Sequence, residues 1–272
     1  MIYQTYIPGI PLNNFITHFT YYKNYIPDQT IDRFLPNGNI EIVIDLTDFP
    51  KYIYDNQSLE EIQACNKIWI SGIRTKYITI PSGKNSEMFV INFKKGMAHP
   101  FLDFPLSSIT NSVIDGDLIL NKIFLQIRDC LLNCPSIYTK FTTTENTLLK
   151  YFGSKLKINS FIDFAVTNIL TAPETLTIKN IVHKTGYSSK HFIDIFKNSV
   201  GVAPKSFLRI IRFQKAIAEI EKTDVFNWAN LAAECGYYDQ AHFINDFKNF
   251  SGFTPTQYLE KKNSQLNYIP VA

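Results

Sequence analysis

Short apolar or alternating runs rich in Ile, Val, Tyr and Phe occupy the first hundred residues. They are Ile40–Leu46 (IEIVIDL), Ile68–Ile70, Tyr77–Ile80 and Met88–Phe93 (MFVINF). β-branched and aromatic residues in such runs predict strands, and Pro36-Asn37-Gly38, Ser71-Gly72 and Pro81-Ser82-Gly83 between them predict turns. Several short strands at this spacing indicate a small barrel or sandwich. Beyond Pro105 the period changes. Asp117–Leu132 (DLILNKIFLQIRDCLL) repeats as a helix does, with an acidic start at Asp115 and Asp117. Ser136–Asn146, with its run of threonines, reads as a linker. From Asn159 onward the chain reads as helical throughout: Ser160–Leu170, Leu176–Lys184, Lys190–Asn198, a long helix from Pro204 to about Glu221, Asn227–Glu234, Gln240–Phe250 and Pro255–Lys261. Pro204 suits the start of its helix, because proline is tolerated in the first turn. The expected fold class is α+β with two domains, a β-barrel domain with trailing helices at 1–150 and an all-α domain at 157–263.

The helical part says the same thing twice. GYSSKHFIDIFKNSVGVAP begins at Gly186 and GYYDQAHFINDFKNFSGFTP at Gly236, and from His191/His242 to Pro204/Pro255 the copies register at a constant offset of 51. In each copy a helix ends at a glycine that permits positive φ, and a second helix leaves at a steep angle. In the first copy Phe192, Ile195 and Phe196 have the spacing of a core-facing stripe, which turns Ser189, Lys190, Ile193, Asp194 and Lys197 outward. In the second, Phe243 and Phe247 anchor the core, leaving Gln240, Ala241, Ile244, Asn245 and Lys248 outside. Asn and Gln can bridge adenine, Asp can accept from cytosine N4, an exposed Ile can touch a thymine methyl, and Lys197 and Lys248 suit phosphates. A helical scaffold that binds proteins also repeats, but such arrays need three or more copies.

Composition narrows the classes. No segment approaches eighteen consecutive apolar residues, so no membrane span is expected, and the N-terminus (MIYQTYIPGIPL) lacks an export signal. The four cysteines are scattered without CxxC pairs; Cys130 and Cys134 read as small packing residues on one helix, and reduced, cytoplasmic thiols are the default. Net charge is +3, and its excess falls wholly in the part holding the repeat, a mild bias compatible with phosphate contact. Residues 1–156 hold only His18 and His99, without an HxH or HxxxH pair. No GxSxG, Walker-type or GxGxxG motif occurs. Neither an enzyme nor a metal or cofactor site is expected.

The second copy carries a further pattern: Ala232-Ala233-Glu234-Cys235-Gly236-Tyr237, Asp239-Gln240-Ala241-His242-Phe243, Phe247-Lys248, Gly252-Phe253-Thr254-Pro255 and Tyr258, with Arg212 and Ala216 in the preceding helix. Over roughly 160–262 the chain resembles the AraC/XylS family of bacterial transcription regulators. The resemblance implies two helix–turn–helix units joined by a long helix, sequence-specific binding to double-stranded promoter or operator DNA, and RNA polymerase as a partner. Carried over by position, the family's reading residues fall on Ser189, Lys190, Ile193 and Asp194, and on Asp239, Gln240, Ala241 and Asn245. Asp194 and Asn245 stand where the family often has arginine. An Asp facing a polyanion is unfavourable unless paired, and Lys190, four residues earlier, is within reach. Arg33–Gly38 leading into IEIVIDL, and Ser71-Gly72-Ile73-Arg74, resemble the cupin-like, β-rich sensory domain of such regulators. That implies a small-molecule effector, a homodimer, or both, and Arg74 is placed to grip a carboxylate or phosphate. The alternative is a helical protein-interaction module with a ligand-sensing β domain and no DNA readout.

Overall fold

The computed structural model describes residues 1–116, 122–222, 227–263 and 265–271. Among them the strands are β1 (Ile2–Tyr6), β2 (Ile16–Lys23), β3 (Ile31–Phe34), β4 (Glu41–Asp45), β5 (Lys51–Tyr54), β6 (Glu61–Cys65), β7 (Ile68–Ser71), β8 (Ile78–Pro81), β9 (Glu87–Phe93), β10 (Val113–Asp115) and β11 (Tyr268–Pro270). They form two antiparallel sheets, ordered β1-β2-β9-β4-β7-β10 and β11-β3-β8-β5-β6. The helices are α1 (Lys122–Asn133), α2 (Ile137–Phe152), α3 (Ser160–Thr171), α4 (Ile178–Thr185), α5 (Ser189–Val200), α6 (Pro204–Ile220), α7 (Trp228–Glu234), α8 (Gln240–Ser251) and α9 (Pro255–Lys261). Of the helix expected over 117–132, residues 117–121 lie outside the described residues.

The near-continuous apolar run of β9 follows from burial on both faces. Phe89, Ile91 and Phe93 join the large core shared with the helices, while Met88 and Val90 face a second cluster with Ile53, Cys65, Trp69, Ile78 and Val113. That cluster lines a cavity of about 610 Å³ between the sheets. The β-rich part is therefore a hollow, two-sheet barrel with α1 and α2 packed on its outside.

The threonine-rich stretch expected as a linker is helix α2. Ser136 caps it: its Oγ accepts from the Thr139 amide at 3.1 Å, and the Thr139 hydroxyl accepts from the Ser136 amide at 3.1 Å. Such a reciprocal cap satisfies two otherwise orphaned N–H groups. The hydroxyls of Thr144 and Thr147 donate back to the carbonyls of Lys140 (3.0 Å) and Thr143 (2.7 Å), so they do not compete with the helix from outside it. Phe141 decides the matter by stacking on Tyr6 and meeting Phe89. Cys130 is exposed, and Cys134 lies past the end of α1 rather than on it, so they are not a shared packing pair.

The other departure is at the far end. The region beyond Asn159 is not wholly helical: β11 returns to the barrel and adds a strand to β3. Ile269 is buried opposite Arg33, and Tyr268 packs on Phe34 at 4.9 Å between ring centroids. Three residues give too little periodicity to read, and the open edge of β3 supplies the order. The helices are further seated by α6, whose Gln214 amide donates to the Pro36 carbonyl (2.8 Å) and to Asn267 Oδ1 (2.7 Å). The Arg33 guanidinium lies 4.4 Å from the ring centroids of both Tyr77 and Phe253. At the end of α5, Gly201 (φ +104°) accepts from the Thr110 hydroxyl, and a Cβ there would stand 2.5 Å from Ile73 Cγ2.

Candidate nucleic-acid interface

Each half of the repeat builds its second helix in the same way. Ser188 Oγ accepts from the His191 amide at 3.3 Å to begin α5, and Asp239 Oδ1 accepts from the His242 amide at 2.7 Å to begin α8. The preceding turns hold glycine at positive φ, Gly186 at +71° and Gly236 at +80°. Paired phenylalanines then fix which face turns inward. Phe192 and Phe196 are buried in contact with Phe161 and Phe207. Phe243 and Phe247 are buried against Trp228, Phe213 and Tyr258.

The opposite faces are exposed. Ser189, Lys190, Ile193, Asp194 and Lys197 lie on the outer side of α5, and Asp239, Gln240, Ala241, Asn245 and Lys248 on or beside the outer side of α8. The anticipated readers therefore gather on two helix faces, each with a lysine in the last turn. Ile193 is 39% exposed, whereas Ile244 is half-buried and packs against the core, so the two are not equivalent. Among the described residues no ion pair joins Lys190 to Asp194. The carboxylate of Asp239 serves as the cap of α8.

The pattern missed a pairing beneath the second face. Asp246 is 4% exposed, and Arg209 of α6 grips it, Nε to Oδ2 at 3.0 Å and Nη2 to Oδ1 at 2.5 Å. The Asp246 hydrogen bond holds the guanidinium in its charged form, above the ordinary arginine range. The signal was present in the repeat. Asp246 matches core-facing Ile195 at the offset of 51, and a carboxylate there needs a cation from another element. Two further cations of α6 are also engaged: Arg212 Nε donates to the Pro173 carbonyl at 2.8 Å, and Lys215 pairs with Glu174 at 2.8 Å. They hold the linker helix to the turn after α3.

Arg74 stands apart from these helices. It is 8% exposed, and its Nη1 donates to the Asn111 carbonyl at 3.0 Å. Its Nε and Nη2 are closed off from solvent without a partner, and burial pushes the guanidinium down to about 10. Among the described residues, no three His, Cys, Asp or Glu side chains come together as a metal would need, and no helix is long and apolar enough to cross a membrane.

A helix-turn-helix domain model matches residues 170–261, and a model described as a domain of unknown function (DUF6597) matches residues 4–115. The chain is 32% identical over 98 residues to an uncharacterized HTH-type transcriptional regulator of Haemophilus influenzae, covering 36% of this chain and 33% of that protein. It is 26% identical over 135 residues to the uncharacterized HTH-type transcriptional regulator YtdP of Bacillus subtilis, covering 46% of this chain and 17% of the relative. The match thus spans about a third or less of the length of these curated relatives. Among solved structures, ToxT from Vibrio cholerae aligns with a TM-score of 0.45 and 13% identity, over 89% of this chain and 98% of that one. Residues 170–261 of this chain are a helix–turn–helix domain of the AraC type.

Proposed function

We propose that the protein is a sequence-specific, DNA-binding transcription regulator whose helices α5 and α8 enter adjacent major-groove segments of one duplex. The observation that carries this reading is the pair of capped, phenylalanine-anchored helices, each turning a polar face and a terminal lysine to solvent. Ser189, Lys190, Ile193 and Asp194 are the base-facing set of the first unit, and Asp239, Gln240, Ala241 and Asn245 that of the second. Lys197 and Lys248 hold phosphates. Residues 157–263 are the reading domain and 1–150 the sensory domain, with the 3₁₀ turn Gly153–Lys155 at their junction. The hollow barrel receives a small-molecule effector, and promoter DNA and RNA polymerase are the macromolecular partners of a protein that acts in the cytoplasm without catalysis. The relatives' description as transcriptional regulators supports the same reading.

Selection of bound fragments from random duplex DNA by the purified chain tests it. Affinity for the selected duplex falls steeply with salt, because neutralised phosphates release counterions. Gln240→Ala and Asn245→Ala relax base preference at a cost of about 1–3 kcal/mol per lost base contact. Lys248→Ala weakens all sequences alike. Absence of duplex binding at low salt, with the barrel ligand present or absent, refutes DNA readout and leaves the protein-interaction module. The spacing of half-sites in the selected DNA reports whether the chain binds as a homodimer.

A further inference from the structure

The cavity between the two sheets is walled on one side by residues that come after the DNA-reading helices. Gln265, Leu266 and Tyr268 contribute to its lining beside Phe34, Ile78 and Ile80 of the five-stranded sheet. Tyr268 is held there by β11, which the Leu35 amide joins through a 2.9 Å bond to the Asn267 carbonyl and the Val271 amide through a 3.0 Å bond to the Ile31 carbonyl. Leu266 is 55% exposed, with its side chain at the rim. Asn267, between them, accepts from Gln214 of α6. One short segment thus touches the cavity, the barrel edge and the helix that links the two reading units.

The polar groups around the cavity describe what it accepts. The Lys51 ammonium faces Asp45 Oδ2 at 3.7 Å and Thr47 Oγ1 at 3.4 Å, so its charge is already met. Burial pushes His18 down and Glu41 up, which favours the neutral form of each. The Asn92 amide is spent on the His18 carbonyl and the Thr20 hydroxyl. Ser86, 2% exposed, lines the cavity with its hydroxyl unpartnered. No uncommitted lysine or arginine side chain among the described lining residues awaits an anion, and the surrounding surface is mostly aromatic and aliphatic.

We infer that the barrel takes an uncharged, largely apolar molecule carrying a hydrogen-bonding group, and that the segment 265–270 is a wall of that site which ties its occupancy to the seat of the reading helices. This rests on the reading of the barrel as an effector chamber. Filling the cavity packs a ligand on Tyr268 and Leu266 and tightens β11 on β3. The hold on Gln214 tightens with it.

The test uses the full chain and two fluorescent probes that share their rings: neutral N-phenyl-1-naphthylamine, and 1-anilinonaphthalene-8-sulfonate, which adds one negative charge. The neutral probe binds saturably and the anion at least about ten-fold more weakly, the consequence of burying an unpaired charge. Leu266→Ala and Tyr268→Ala each weaken the neutral probe by roughly five-fold, the scale of one lost packing contact. Val271→Ala, outside the lining, leaves it unchanged. Hydrogen exchange at the Leu35 and Val271 amides slows when the probe is bound. Saturable binding that neither tail variant alters, or that leaves both amides unaffected, overturns the wall while leaving the chamber intact. An anion bound as tightly as the neutral probe overturns the ligand class. No saturable binding removes the chamber and this inference together. Leu266, at the rim, keeps the test open should Tyr268→Ala misfold.

Discussion

Asp194 and Asn245 occupy the same station on their respective helices, and both are exposed. In the structure Asp194 has no cation within ion-pair reach among the described residues, so its charge confronts any phosphate directly. Asp194→Asn is expected to tighten binding to unselected duplex DNA by roughly 1 kcal/mol, the scale of one solvent-exposed charge contact, without altering thermal stability. An unchanged affinity at low salt would place α5 away from the backbone. Exposed stations such as these were legible because helical period alone sorts inward from outward faces. The need of Asp246 for a cation was legible too, but its partner Arg209 was not, since it lies 37 residues away on a different helix. Glu41 offers a second test at this scale. Burial raises its carboxyl above the ordinary range, so the folded state favours the protonated form. A group raised on folding contributes stability below its unfolded pKa and loses it as pH rises through the folded one. Glu41→Gln should therefore raise the melting temperature at pH 7.5, and that advantage should vanish near pH 4.

Turns separate the two units more sharply than their helices do. Both hold glycine at positive φ, but a Cβ on Gly186 meets nothing within 4 Å, whereas one on Gly236 would stand 2.4 Å from Glu174 Cα and 2.7 Å from its carbonyl oxygen. Gly186→Ala should cost about 1 kcal/mol, the left-handed backbone alone. Gly236→Ala should cost roughly 3 kcal/mol or more, because backbone must move as well. Urea denaturation of both variants measures the difference; equal losses would mean that the 173–174 turn yields freely. The elements of the repeat were readable since glycine, phenylalanine and proline recur at fixed spacing. Helix α2 stands where the sequence predicts a linker for a physical reason: threonines are poor helix formers in isolation, and here the cap at Ser136 and the aromatic contacts of Phe141 outweigh that preference.

For the whole molecule, the two-part plan was visible in the change of period after Pro105, but the way the parts hold each other was not. Arg33, Gln214 and Gly201 make contacts that depend on which residues meet in space, and no local pattern announces them. Gln214→Ala, which removes bonds to both Pro36 and Asn267, should speed hydrogen exchange at the Leu35 and Val271 amides by about ten-fold, the weight of one hydrogen bond. The amides of β4 and β9 should not change. Uniform acceleration across the barrel would instead mean that Gln214 supports the whole fold. The return of β11 to β3 also bears on how the protein is made. Synthesis proceeds from the N-terminus, so the barrel leaves the ribosome with the edge of β3 bare while both helix–turn–helix units are still being added. The sheet closes only after they have emerged, which makes its completion a late, long-range event. A chain interrupted anywhere before that strand would carry an open, sticky edge, and a sealed barrel marks a molecule whose helix–turn–helix units have already been synthesised.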